Sequence, residues 1–477
     1  MSTEHTETLE MGALAGLISP LGGVISGLER LGPELTRSGD TVTLARLGEV
    51  GALRERGVPG EWGALGEGSA PVRFGVELDG IGCHADPGAS ARIATAEALE
   101  RYAAAVGDER GWVVESAVEM GGDGIDLSDV ARCSTAELDA PGVPVTPFDD
   151  ARPMRWARGW SLCDGREVWV PAVMSHFGVA PAGSAERFWL QSSSGCAAGP
   201  TPEAALLGAC LELIERDAVS IAWLARMPLA RLDPGRPPAH WRAQISGGDP
   251  DWGWDTVTAT LAGDHDRARI ALFDATSDLG VPTALAVLPA PAGSGRPPAV
   301  GAGCCELASR AALKAVREVT VVRACLWGDG APAPPADVPD VAFDHLFGAR
   351  RAVAAGTSGA SGASGASGAA GASGAARAAG RAPVPDGLGD AAGERLARIV
   401  AILADEAGDV VAVDLTPVEL AGRGMHVVRV IVPGLIPHLS HPGVRYLAGR
   451  RLYDVPRRLG HPVRREQEVN PWPSPLW

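Results

Sequence analysis

Two stretches of the sequence carry the pattern Glu-x-x-Glu-Arg inside an alanine- and leucine-rich segment, one at Glu97–Arg101 and one at Glu212–Arg216. Glutamates three residues apart share one face of a helix. A helix that is apolar around most of its circumference is buried, and two buried carboxylates repel each other and lose their hydration. We therefore predict two helices that offer carboxylates to shared divalent cations, with Mg2+ the usual choice when phosphates are also bound. A solvated stripe on each helix is the alternative.

The second of these helices has a clear predicted start. Thr201 suits the N-cap and Pro202 the first helical position, and the apolar pattern runs to about Leu224. The polar, glycine-rich stretch Ser192–Gly199 before it is predicted to be a turn. Its backbone amides and hydroxyls could receive an anion at the helix N-terminus, but no Walker-type Gly-Lys-Ser/Thr follows it.

A third helix, predicted over about Glu306–Trp327, supplies the opposite charge through Lys314 and Arg323. Lys314 and Glu318 are four residues apart, so they could form a simple helix-stabilising ion pair. The alternative is that the cations face a nucleotide polyphosphate, where they would stabilise charge on a transferring phosphoryl group.

Strand-like runs alternate with the long helices, which predicts an α/β or α+β class. The run before the first helix leads into a predicted turn at Asp79–Gly82. The predicted strands are Val72–Leu78, Gly111–Val114, Glu167–Val173, Arg269–Asp274, Thr283–Leu288, Val410–Asp414 and His426–Val432.

At 477 residues the chain is too long for one hydrophobic core. Residues 1–70 are predicted to form a small N-terminal accessory element, and residues 71–477 the catalytic domain. Residues 355–381 are built on Ser-Gly-Ala repeats that cannot bury enough apolar surface to offset their ordering entropy, which predicts a linker interrupting that domain.

Charge and composition exclude several classes of protein. The formal net charge of −16 argues against a general nucleic-acid binder. No apolar run approaches the roughly 20 residues of a membrane helix, and the acidic N-terminus indicates a cytoplasmic protein. The eight cysteines include no Cys-x-x-Cys pair, which argues against a zinc knuckle.

Taken together, these motifs resemble the YcaO superfamily over roughly residues 71–477. The string from Ser193 through Glu212, Glu215 and Arg216 to Ala218 is similar to the central motif of that family, and Ala96–Tyr102 is similar to its earlier helix. The resemblance implies a YcaO-type fold in which mixed sheets and long helices enclose an ATP site. It implies Mg2+ ligands at Glu97, Glu100, Glu212 and Glu215, and nucleotide contacts at Ser193, Arg101, Arg216, Lys314, Glu318 and Arg323.

Three positions depart from the family pattern. Lys314 stands where the family usually has Arg, which keeps the charge but loses the bidentate fork. Val321 replaces a common Gln, and the expected Gly-Lys-Gly reads Gly80-Ile81-Gly82, so a phosphate-contacting lysine is missing. Weaker ATP binding, or help from a partner, is a consequence to expect.

The tail carries Pro471, Pro473 and Pro475, which match the Pro-x-Pro-x-Pro tail of azoline-forming members and imply a catalytic role for it. A disordered proline-rich end is the alternative. The resemblance implies a cyclodehydratase that converts Cys, Ser or Thr residues of a ribosomally made precursor peptide into azolines. Thioamide- or amidine-forming chemistry and a non-catalytic precursor-binding scaffold remain open.

The resemblance also sets expectations about partners. We expect a precursor peptide, a separate E1-like or ThiF-like protein that binds its leader, a flavin dehydrogenase in the pathway, and a homodimer.

Deleting residues 357–376 tests the linker prediction. Because this segment is expected to carry no chemistry, ATP-dependent ring formation should fall less than about threefold, under roughly 1 kcal/mol on the barrier. Mass spectrometry of a modified precursor peptide measures the rate, and a large loss of activity would contradict the prediction.

Overall fold

The structure is a computed structural model in which two compact units are distinguished. It describes residues 14–20, 23–31, 40–48, 79–106, 109–242, 253–263, 269–290, 296, 298–327, 392–438, 441–474 and 476. Unit 1 comprises Met1–Leu213 and Gly389–Gly449, and unit 2 comprises Ile214–Leu388 and Arg450–Trp477.

The described elements are numbered in chain order. The strands are β1 (Ile25–Arg30), β2 (Thr41–Leu47), β3 (Gly80–His84), β4 (Val113–Glu115), β5 (Met154–Ser161), β6 (Glu167–Pro171), β7 (Cys196–Gly199), β8 (Ala230–Leu232), β9 (Ala271–Asp274), β10 (Thr283–Leu288), β11 (Ala299–Cys304), β12 (Val411–Asp414) and β13 (His426–Ile431). The α-helices are α1 (Pro87–Ala105), α2 (Ala117–Met120), α3 (Thr135–Leu138), α4 (Ala172–Ser175), α5 (Pro202–Leu224), α6 (Ala239–Arg242), α7 (Trp254–Ala262), α8 (Ala308–Trp327), α9 (Ala392–Ala407) and α10 (Arg451–Arg458).

Unit 1 contains two antiparallel sheets among its described strands. One has the order β1-β2-β3, and the other has the order β4-β5-β12-β13-β7 with β6 also paired to β5. Helix α1 buries Leu99 and Tyr102 in a core that includes Trp156 of β5 and Val427 of β13. Strands β3 and β7 each lie at a described edge of their sheet.

Unit 2 contains one described sheet, antiparallel with the order β11-β10-β9-β8. Strand β10 is buried along its whole length, Thr283–Leu288, and α8 packs Leu313, Val316 and Val319 into the same core. Strand β11 is the edge strand on the side of α8.

Helices α1 and α5 begin at residues suited to that position. Asp86 accepts hydrogen bonds from Gly88 N (3.2 Å) and Ala89 N (2.9 Å) at the start of α1. Thr201 Oγ1 accepts one from Ala204 N at 3.2 Å at the start of α5. Each cap satisfies amides that have no partner inside the helix.

Two glycines allow helices to lie directly against edge strands. A Cβ on Gly82 of β3 would overlap the carbonyl oxygen of Ser90 in α1 and lie 2.7 Å from Ala94 N. A Cβ on Gly303 of β11 would overlap backbone of α8 in the same way, lying 2.8 Å from Ala315 N. Only glycine fits at these two points of closest approach.

The fold class is confirmed, and because the described strand pairs are antiparallel, α+β is the apt description. The predicted helix from Pro202 to Leu224 and the predicted strand Thr283–Leu288 have the bounds that the structure gives. Two predicted turns are wrong, since Gly80–His84 and Cys196–Gly199 are strands.

Two sequence predictions lie outside the described residues, and a third concerns the boundary at residue 70. The predicted strand Val72–Leu78 and the predicted linker at 355–381 lie outside the described residues. Strands β1 and β2, from the predicted 1–70 element, pair in one sheet with β3, so that sheet crosses the predicted boundary at residue 70. In the described part of the chain, no helix has the length and apolar character needed to cross a membrane.

Replacing Gly82 by Ala tests the close approach of β3 and α1. Because the Cβ would meet helix backbone, we expect a loss of about 1–3 kcal/mol in the free energy of unfolding. Gly27 of β1, in the same sheet, is the matched control, since a Cβ there meets nothing within 4 Å; Gly27→Ala should change stability by less than about 0.5 kcal/mol. Equal urea midpoints for the two variants would show that the packing argument is wrong.

Candidate functional site

Helix α1 presents two glutamates whose positions are fixed by backbone amides of edge strands. Glu97 Oε2 accepts a hydrogen bond from Ile81 N of β3 at 2.8 Å, and its Oε1 accepts one from Arg101 Nη2 at 2.6 Å. Glu100 Oε2 accepts a hydrogen bond from Ala198 N of β7 at 3.1 Å. The two predicted ligands of the first motif therefore lie on one face of α1.

Glu212 of α5 belongs to the same group of charges. Its Oε2 accepts a hydrogen bond from Gly195 N, just before β7, at 3.3 Å. Burial, and then repulsion from Glu212 and Glu97, raise the pKa of Glu100 well above its usual value. Arg101 and the amide of Ala198 act in the opposite direction without cancelling this effect.

Ser193 lies in the turn that holds Glu212. Its carbonyl oxygen accepts a hydrogen bond from Cys196 N at 2.8 Å, and its side chain is partly exposed. Arg429 of β13 donates to the neighbouring Ser192 O at 2.6 Å, which ties this turn to the sheet.

Unit 2 contains a second group of charged side chains around Glu215 of α5. Glu215 is 4% exposed, and its Oε2 accepts a hydrogen bond from Cys304 N of β11 at 2.9 Å. The guanidinium of Arg216 lies 3.7 Å from Glu215 Oε1, and Lys314 Nζ of α8 lies 3.8 Å from Oε2. Lys314 Nζ also donates to Cys304 O at 3.2 Å.

The charged side chains of this second group shift one another's pKa values. Burial lowers the pKa of Lys314, but the charge of Glu215 and smaller contributions outweigh it, so the pKa of Lys314 is raised. Glu318 accepts a hydrogen bond from Ala302 N at 2.7 Å. Burial and repulsion from Glu215 raise the pKa of Glu318 to about 7, against the opposing effects of Arg216 and Lys314.

The other predicted site residues are placed as follows. Arg323 is buried in α8. Pro471 is exposed and Pro473 is half-buried, whereas Pro475 lies outside the described residues. The chain beside these prolines is anchored to the end of α5, because Trp223 Nε1 donates to Trp472 O at 3.1 Å.

An ion-pair network centred on Arg451 was not predicted from the sequence. Arg451 of α10 donates to Asp217 Oδ2 of α5 at 2.7 Å and to Asp278 Oδ1 at 2.8 Å. All three side chains are at most 7% exposed. Arg458 reaches Asp278 from the surface at 2.9 Å. Asp217 follows Arg216 directly, so this network fixes the turn of α5 that carries Glu215.

The donor set fits a hard divalent cation. Carboxylate oxygens are the protein ligands that Mg2+ takes. Burial, and then repulsion from Glu212 and Glu97, raise the pKa of Glu100, and a cation would offset that repulsion. No group of three or more His, Cys, Asp or Glu side chains is arranged to hold a metal within the described ranges. Mg2+ usually takes one or two carboxylates with waters and phosphates, so such a site is completed by its nucleotide.

Comparison with known proteins gives the same family that the motifs resemble. A family model described as YcaO cyclodehydratase, ATP- and Mg2+-binding, matches residues 81–436. A curated relative, an uncharacterized protein in the tfuA 3' region of Rhizobium leguminosarum bv. trifolii, is 33% identical over 211 residues. The aligned part covers 42% of this chain and 43% of that relative.

Three solved structures share the fold. A heterocyclase in complex with substrate and cofactor has a TM-score of 0.68 at 23% identity, covering 98% of this chain but only 57% of its own. YcaO from Methanopyrus kandleri, bound with AMPPCP and Mg2+, has a TM-score of 0.54 at 18% identity, covering 90% of both chains. A chain of the E. coli microcin synthetase McbBCD complex has a TM-score of 0.53 at 12% identity, covering 96% of this chain and 98% of its own.

Replacing Arg451 by Met tests the network in unit 2. The change leaves the buried carboxylate of Asp217 without its guanidinium, which should cost about 3–5 kcal/mol of unfolding free energy. Arg458→Met is the matched control, since Arg458 is half-exposed and pairs with the same Asp278; it should cost less than about 1 kcal/mol. Urea unfolding compares them, and a mild effect of Arg451→Met would rule out the assigned role.

Proposed function

Because the chain belongs to the YcaO cyclodehydratase family, we propose that it is an ATP- and Mg2+-dependent enzyme that converts Cys, Ser or Thr residues of a ribosomally made precursor peptide into azolines. The observation that carries the proposal is the group formed by Glu97, Glu100 and Glu212, in which repulsion and burial raise the pKa of Glu100. Carboxylates held in this way favour a bound cation over the unpaired charged state.

The proposed Mg2+ ligands are Glu97, Glu100, Glu212 and Glu215. Each of them already accepts one backbone N–H, which orients its carboxylate before any ligand arrives. When bound, Mg2+ would neutralise phosphate charge. The family model supports this assignment through its description as ATP- and Mg2+-binding.

The proposed nucleotide contacts are cations and one turn. Lys314 has a side chain that is 45% exposed, so its ammonium can reach a phosphate while Glu215 keeps it protonated. Arg101 and Arg216 would add positive charge, and Ser193 would offer its hydroxyl. Further contacts are proposed for Glu318 and Arg323.

The proposed reaction requires the site to position the peptide and ATP, and it requires no nucleophile from the protein. The substrate side chain attacks the preceding backbone carbonyl, the resulting oxyanion takes the γ-phosphoryl group of ATP, and phosphate leaves as the C=N bond forms. Lys314 and Arg216 stabilise negative charge as it spreads over the transferring group. We propose azoline formation rather than thioamide or amidine chemistry because Pro471, Pro473 and Pro475 match the tail of azoline-forming members.

A separate protein that delivers the peptide is part of the proposal. This chain spans 57% of the matched heterocyclase, and it covers nearly all of a chain that belongs to the McbBCD complex. We propose that a separate leader-binding protein of the E1-like or ThiF-like class delivers the precursor peptide to this chain.

Glu212→Gln and Glu215→Gln test the metal site. Each change removes a negative charge while keeping the shape, so ATP-dependent ring formation should fall by roughly 100-fold or more, about 2.7 kcal/mol. A short peptide rich in Cys, Ser and Thr serves as the test substrate. Mass spectrometry counts the losses of about one water per ring.

Glu203→Gln is the matched control, because Glu203 lies exposed on the same helix. It should retain activity within about threefold. Titration calorimetry with MgATP provides a readout independent of the peptide, and both site variants should bind it more weakly than the control. Full activity and full binding in both site variants would remove the metal-site proposal.

A further inference from the structure

A histidine–aspartate pair lies in unit 2 outside the residues assigned above. His240 of α6 and Asp274 at the end of β9 approach within 2.9 Å, through Nε2 of the ring and Oδ2 of the carboxylate. Asp274 is largely buried, with 12% of its side chain exposed, whereas 36% of the His240 side chain is exposed. The buried carboxylate therefore orients a ring that is partly exposed to solvent.

The carboxylate is itself held in place. Asp274 Oδ1 accepts a hydrogen bond from Thr276 N at 2.9 Å, which leaves Oδ2 for the ring. The contact with Oδ2 favours the tautomer with a proton on Nε2. In that tautomer Nδ1 is the basic nitrogen, and within the described residues no hydrogen bond to Nδ1 is found.

Strand register places this pair at the end of the sheet where β11 donates a hydrogen bond to Glu215 of α5. Asp274 of β9 lies opposite Ala284 of β10, and Ala284 lies opposite Gly303 of β11. Two strand spacings amount to about 10 Å. The residue after Gly303 is Cys304, whose N–H donates to Glu215. His240 is thus within a peptide's reach of the second charged group.

The same end of the sheet is rigid. The β9–β10 loop carries Asp278, which Arg451 links to Asp217 of α5, and Thr283 N donates to Thr276 Oγ1 at 3.2 Å in the same loop. A side chain that acts on a substrate needs such a fixed support.

We propose that His240, oriented by Asp274, is the general base that activates the nucleophilic side chain of the peptide substrate. This inference rests on the proposed function. The pair has the arrangement of a base with its orienting carboxylate, which is found in many hydrolytic and acyl-transfer sites. Here the nucleophile belongs to the substrate rather than to the enzyme.

The step balances as follows. Nδ1 of His240 takes the proton from the substrate Oγ–H or Sγ–H, and the freed electron pair forms the bond to the preceding carbonyl carbon. The carbonyl π pair moves to oxygen, which then takes the γ-phosphoryl group as the bond to ADP breaks. The amide nitrogen gives its proton to solvent as the C=N bond forms and the C–O bond to phosphate breaks. The imidazolium beside Asp274 returns its proton to solvent.

The nature of the nucleophile supplies the test. A cysteine thiol has a pKa of about 8.5 and is partly ionised at pH 8, whereas a serine hydroxyl is not ionised there. A general base contributes about 10²–10⁴-fold where it is needed. Loss of His240 should therefore slow serine cyclisation far more than cysteine cyclisation.

The experiment compares two precursor peptides that differ only by Ser or Cys at one position, with the full-length protein and its leader-binding partner. We expect His240→Gln and Asp274→Asn to lower kcat for the Ser peptide by at least about 100-fold and for the Cys peptide by less than about tenfold. His461→Gln, in the same unit, is the control and should leave both rates unchanged. Thermal melting checks that the variants fold.

The outcomes separate this inference from the proposed function. If the unmodified protein forms rings in neither peptide, the proposed function fails and the inference fails with it. If it forms rings in both, and His240→Gln slows both equally or slows neither, the function stands and His240 is not the base. A selective loss for the Ser peptide supports the assignment.

Discussion

The hydrogen bond between a helix carboxylate and a backbone N–H in an edge strand, or directly before one, organises both charged groups of this protein. An edge strand has amides with no neighbouring strand to accept them, and a buried carboxylate needs donors to replace water. The unpaired amide and the buried carboxylate therefore satisfy each other, and the hydrogen bond fixes the position of the carboxylate. The pairs are Glu97 with Ile81, Glu100 with Ala198, Glu212 with Gly195, Glu215 with Cys304, and Glu318 with Ala302.

Among the described residues, the same local arrangement is found in both units. In unit 1 the edge strand β3 carries Gly80-Ile81-Gly82, and in unit 2 the edge strand β11 carries Gly301-Ala302-Gly303. In both, the N–H of the middle residue donates to a glutamate 16 residues later on the following helix. The two copies differ in their cations, since Arg101 follows Glu97 by one helical turn whereas Lys314 precedes Glu318 by one. One structural solution thus serves two different charge environments.

Sequence reasoning succeeded where local signals were strong. The cap at Thr201 and the apolar pattern after Pro202 predicted α5, and alternation of apolar residues predicted β10. It predicted turns at β3 and β7, and it made no prediction for β11, because Gly80–Gly82, Cys196–Gly199 and Ala299–Cys304 are rich in small residues, which sequence patterns associate with turns. There the small residues are explained by a helix pressed against the strand. That cause is tertiary and leaves no local periodicity.

The candidate site shows the same division. The spacing of Glu97 and Glu100, and of Glu212 and Glu215, predicted shared helix faces, and the structure has them on α1 and α5. The roles of these side chains as ligands stay predictions. The partnership of Arg451 with Asp217 joins residues 234 positions apart, and that of His240 with Asp274 joins residues 34 apart. No local pattern marks either pair, so only coordinates reveal them.

The close packing of α1 on β3 and of α8 on β11 affects how relatives of this protein should be compared. Gly82 and Gly303 are required by packing alone, so a descendant that had lost its chemistry would still need them to fold. The glutamates are different, because burial and repulsion from Glu212 and Glu97 raise the pKa of Glu100, and the proposed cation would offset that repulsion. In a lineage that has lost activity and serves only as a scaffold, these glycines should be kept while the glutamates are replaced. Comparing how often relatives keep the glycines with how often they keep the glutamates therefore separates active enzymes from inactive ones.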